Sequence, residues 1–145
     1  MEDQMGFEFL EHTADAYIAA HGEDLSEAFE NSARALFDVM TDVDRISPSV
    51  QDCVEVSGID EQALLYSWLE ALLVKHELEG MLYSKFKILK LERVGDEFQL
   101  QAQVWGEKFD TRRHPQKVGV KAVTYHRMEI VREPEKVTVK FILDI

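Results

Sequence analysis

The sequence predicts an α+β fold, two helices packed on a mainly antiparallel sheet. Three observations carry that prediction. Apolar residues recur at helical spacing in two stretches, about 24–40 and 60–80. From Met81 onward they alternate with polar ones instead, as half-buried strands do. No linker, low-complexity tract or internal repeat divides the 145 residues, a length that suits a single domain over 1–145.

In chain order, residues 7–10 and 17–21 read as short strands, and Gly22 breaks the second. Asp24 caps a helix, with Glu27 in the capping-box position three residues on. Leu25, Ala28, Phe29, Ser32, Leu36 and Met40 line one face of it, and Glu30, Arg34 and Asp38 the other. Residues 41–49 form a polar loop with Pro48, and Val50, Val54 and Val56 mark a strand. Asp60 caps a second helix that carries Leu64, Leu65, Trp68, Leu69, Leu72 and Leu73. Ile59 and Leu64 sit where a hydrophobic staple packs, and Gly80 is the expected stop. Lys85-Phe86-Lys87-Ile88 alternates, then the phase reverses at Leu89, which predicts a β-bulge. Gly95-Asp96 predicts a tight hairpin. Phe98, Leu100, Ala102 and Val104 form the buried side of the next strand. Residues 106–116 read as a polar loop, and Val118, Val120, Ala122, Met128 and Ile130 as one face of a long strand. The last strand puts Val137, Val139, Phe141, Leu143 and Ile145 on one side, with Lys140, Ile142 and Asp144 on the other.

Sixteen lysines and arginines against 28 acids leave a net charge of −12. Such a surface repels phosphate backbones and attracts basic patches, so tight direct nucleic-acid binding is not expected. The single cysteine, Cys53, excludes an internal disulfide and a paired-cysteine metal site, and its type favours burial. No run of 18 apolar residues predicts a membrane span. The N-terminus lacks a basic-then-apolar signal pattern, and a cytoplasmic location is expected.

The densest polar chemistry is Glu11-His12-Thr13-Ala14-Asp15, set between two apolar segments. It reads either as a turn closed on backbone amides or as a site for a metal or polar ligand. The five histidines give no zinc spacing. Hard oxygen donors are what remain: Asp15, Asp144 and the carboxylate of Ile145, a set that suits Ca²⁺, Mg²⁺ or Mn²⁺. Asp144 also reads as a solvated acid near a chain end. Lys121 reads as an outward lysine, although Val123 and Tyr125 share its side of the strand. The basic run Arg112-Arg113-His114 reads as a solvated turn, or as a local patch for one phosphate or an acidic partner. No catalytic motif of known spacing is present.

Four separated motifs together resemble the archease family. They are Glu11-His12-Thr13-Ala14-Asp15, Gly106-Glu107 with Asp110 and Arg113-His114, Lys121-Ala122-Val123-Thr124-Tyr125-His126, and Asp144-Ile145. The likeness runs from about residue 7 to the last. It departs at Ala16-Tyr17, where the family often has a β-branched residue and Gly, and at Val118-Gly119-Val120, a looser approach to Lys121. The resemblance implies a fold of strand–helix–strand–strand modules. It implies an activator of the RtcB-type GTP-dependent RNA ligase of tRNA splicing, promoting guanylylation and turnover without ligating RNA itself. It implies a divalent cation, most often calcium, on Asp15, Asp144 and Ile145, with Lys121 in the same patch and His12 beside it. Two other readings stay open: a metal-dependent hydrolase of small phosphorylated molecules with His12 as base, and a chaperone-like protein.

Overall fold

The computed structural model describes residues 6–12 and 15–145, with the backbone alone for Glu11 and His12. The described elements run β1 (Phe7–His12), β2 (Asp15–Gly22), α1 (Leu25–Met40), a 3₁₀ turn (Val43–Arg45), β3 (Val50–Gly58), α2 (Glu61–Glu79), β4 (Met81–Val94), β5 (Glu97–Lys108), β6 (Ala122–Glu133) and β7 (Lys136–Asp144). The fold is α+β, as expected, but its strands form two sheets. One has the order β1-β2-β7-β6 and the other β3-β5-β4, and every pairing is antiparallel. The helices join them: α1 packs on β2 and β7 of the first sheet and β4 of the second, and α2 on β6 and β3.

That placement explains the sequence of α2. A helix with a sheet on either side needs a wide apolar face, and Leu64, Leu65, Trp68, Leu69, Leu72 and Leu73 are all buried. Trp68 has no exposed surface, packs edge-on against Phe86, and donates its indole N–H to the Phe29 carbonyl at 2.9 Å. Truncating such a side chain to alanine costs about 3–5 kcal/mol. Asp24 and Asp60 cap the two helices as expected, accepting from the amides of Glu27 and Ala63. Gly80 ends α2 in the left-handed conformation, φ 70°.

Several local expectations are corrected. The staple at Ile59 is absent: the residue is 80% exposed, because the Gly58 backbone already lies against Ala63 and Leu64. Cys53 is exposed on edge strand β3. The bulge at Leu89 is present as a register shift between Ile88 and Lys90. The strand expected over 118–130 begins only at Ala122 and is interrupted. Thr124 pairs with Ile142 and Glu129 with Lys140, so residues 125–128 stand opposite Phe141 alone. Three extra residues, an odd number, invert the alternation, which is why Val123 and Met128 are both buried. Within this bulge Arg127 has φ 58°, the one positive φ at a non-glycine among the described residues.

Candidate functional site

The two separated acids of the sequence meet on paired strands. Asp15 opens β2 and Asp144 closes β7, and the antiparallel register sets them directly opposite each other. Direct partners point their side chains to the same face, with Cβ atoms roughly 4.5–5.5 Å apart. Both residues are half-buried. β6 completes the arrangement from the other side: Ala122 pairs with Asp144, and the Lys121 amide donates to the Asp144 carbonyl at 2.7 Å. The Lys121 side chain is exposed. Ile145 packs its side chain against the core and lines an apolar groove of about 280 Å³ with Phe9, Ala16, Val39 and Val118. Among the described residues no three acidic, histidine or cysteine side chains gather round one point. The side chain of His12, and all of Thr13, lie outside the described residues.

A second polar cluster sits where β5 ends. Residues 106–116 do not form a free loop, since β5 continues through Lys108. Nor is His114 part of a solvated turn: its side chain is fully buried. The Asp110 amide donates to His114 Nδ1 at 2.9 Å, which leaves the ring proton on Nε2, 2.8 Å from Glu107 Oε2. The Ser47 amide donates to the same oxygen at 2.8 Å, and Arg113 pairs with Glu107 Oε1. Burial pushes the Glu107 carboxyl up, but the Ser47 amide, the His114 ring and the Arg113 charge together hold it below the usual carboxylate range. Gly106 must be glycine here, because a Cβ would lie 1.8 Å from the Leu82 carbonyl oxygen. No spacing rule marks this cluster, and the only signal for it was the grouping of Glu107, Asp110, Arg113 and His114 in the archease-like motifs.

The β6 bulge flanks the acid pair. Its Tyr125 is 53% exposed and stacks on Tyr66, with ring centroids 4.5 Å apart and planes 5° from parallel. Arg127 lies over the ring of Tyr17 at 4.4 Å, one row from Asp15 on the same face.

A helix layer between two antiparallel sheets, with a cross-strand acid pair joined to a lysine-bearing loop, defines a small α+β protein of the strand–helix–strand–strand kind. The chain belongs to the archease family: the sequence profile of the Archease protein family (MTH1598/TM1083) matches residues 7–145. The chain is 45% identical over 139 residues to the protein archease of Sulfurisphaera tokodaii, covering 96% of this chain and 98% of that one. To the Pyrococcus furiosus protein archease it is 46% identical over 129 residues, 89% of this chain and 90% of that one. Its fold is similar to the solution structure of Methanobacterium thermoautotrophicum protein 1598, with a TM-score of 0.84 at 42% identity, covering 97% and 99% of the two chains. An archease from Thermotoga maritima, described as a possible chaperone, shares the fold at 17% identity, with a TM-score of 0.59 and 94% of each chain covered.

Proposed function

We propose that this protein activates an RtcB-type GTP-dependent RNA ligase in tRNA splicing, promoting the ligase's guanylylation and its multiple turnover. The observation that carries the reading is the register of Asp15 against Asp144, with the Lys121 backbone amide bonded to the Asp144 carbonyl. Two like charges directly opposite each other destabilise a strand pair unless something positive sits with them. Oxygen-only donors fit a hard divalent cation, Ca²⁺ first and Mg²⁺ or Mn²⁺ next. In this reading Asp15, Asp144 and the Ile145 carboxylate hold that cation, which supplies a local positive charge. In the same reading Lys121 contributes a second cation to the patch, and His12, the last residue of β1, belongs to it. An activator needs no nucleophile of its own, and the relatives are named as proteins, not as enzymes.

The test is multiple-turnover ligation of tRNA halves by the ligase with and without this chain. Stimulation well beyond one turnover per ligase, lost in Asp15→Ala and reduced in Lys121→Ala, is the expected result. Equal ligation with and without the protein rejects the reading. The exposed Phe9 and Val118, which line a groove with Ile145, favour a chaperone-like second reading, which a client-aggregation assay without ligase tests directly.

A further inference from the structure

Residues 109–121 link β5 to β6 without helix or strand. Loops of this length with no regular structure are uncommon in compact domains and are usually functional. This one ends on Lys121; its Phe109 amide donates to the Gly80 carbonyl at 2.8 Å, and beyond that bond it is held at three points. At its root Glu107 collects the Ser47 amide, His114 Nε2 and Arg113, and the Asp110 carbonyl accepts from the amides of both Arg113 and His114. In the middle the Lys117 amide donates to the Met40 carbonyl at 3.0 Å and Lys117 Nζ to the Asp38 carbonyl at 3.1 Å. At its end the Lys121 backbone amide donates to the Asp144 backbone carbonyl at 2.7 Å.

The root differs from the other two anchors. His114 is buried, and each ring nitrogen has its own partner, one accepting and one donating. Those bonds exist only when the chain folds back at Asp110, so they select one path for the loop. Breaking them leaves the buried His114 ring without partners for its nitrogens, a cost comparable to a lost hydrogen bond. The root therefore fixes the direction in which the loop leaves β5.

We infer that Glu107 and His114 are positioning residues that set where Lys121 stands against the Asp15–Asp144 pair. The inference rests on the reading that Lys121 works at that pair. The test variant is His114→Phe, which keeps ring volume and the stacking on Phe109 but removes both hydrogen bonds. Amide hydrogen exchange at Lys121 is expected to rise at least about tenfold, while exchange in the middle of α2 stays as in the wild type. Ligase stimulation should fall as far as in Lys121→Ala, and the double variant should lose no more than either single one. Glu107→Gln keeps an oxygen for Ser47 and His114, and it is expected to hold Lys121 exchange within about twofold of the wild type. If His114→Phe does not fold, Glu107→Asp, with its shortened reach, takes its place in the same measurements. Unchanged Lys121 exchange overturns the inference, as do multiplicative losses in the double variant. A wild type without stimulation rejects the functional reading instead, and the exchange data still decide whether the root positions Lys121.

Discussion

Asp15 and Asp144 set two like charges opposite each other, a cost that a cation bound between them would remove. Like charges directly opposite on neighbouring strands destabilise the pairing. In EDTA, Asp144→Asn is expected to melt at or slightly above the wild type. Adding Ca²⁺ should raise the wild-type melting temperature and leave Asp144→Asn unmoved, since only binding to the folded chain stabilises it. A wild type indifferent to both Ca²⁺ and EDTA would remove the cation from the site. Glu107 makes a different prediction. Its carboxyl is held below the ordinary value of 4.5, so its contribution is complete above that value and is lost as pH falls through the lowered one. Between about pH 5 and 3 the wild type should lose melting temperature more steeply than Glu107→Gln. Parallel curves would show that Glu107 titrates alike in the folded and unfolded chains.

Among elements, the β6 bulge departs furthest from regular geometry. Four residues face one, and Arg127 takes a left-handed conformation that its side chain disfavours. The stacking of Arg127 on Tyr17 and of Tyr125 on Tyr66 holds the bulge on both sides. Glycine adopts φ 58° freely, so Arg127→Gly trades lost stacking for lost strain, and its stability should stay within about 1 kcal/mol of the wild type. Arg127→Val puts a β-branched residue at that φ and should cost about 1–3 kcal/mol. Equal melting temperatures for the two variants would mean that the bulge relaxes and stores no strain.

At the scale of the molecule, the helix layer between two sheets leaves the acid pair at one end of the first sheet. The net charge of −12 bears on what meets that end. An acidic chain is drawn to a protein with a basic RNA-binding groove and away from RNA itself. Raising ionic strength from about 0.1 M to 1 M shortens the screening length from about 10 to 3 Å, and binding to the ligase should weaken accordingly. A mobility shift with tRNA alone at physiological salt should show no tight complex. Salt-independent binding to the ligase, or tight binding to bare tRNA, would count against this account.

Local patterns in the sequence determined both helices, their aspartate caps, the Gly80 stop, the Leu89 bulge and the Gly95-Asp96 hairpin. Each depends on contacts within a few residues, and periodicity and capping chemistry report those contacts directly. Family resemblance grouped Glu107, Asp110, Arg113 and His114, and it named Asp15, Asp144 and Lys121 together. Only the tertiary structure decided the rest. It divided the strands into two sheets, since alternation marks a strand but not its partner. It buried His114 inside a stretch that reads as polar loop, because a histidine with both nitrogens satisfied can leave water. It exposed Ile59 and Cys53, whose residue types favour burial, because burial depends on what packs above a position. It also set Asp15 opposite Asp144, residues 129 positions apart in sequence. Strand register is a property of the whole sheet, fixed by the match of every apolar pair along β2 and β7, and no local stretch encodes it alone.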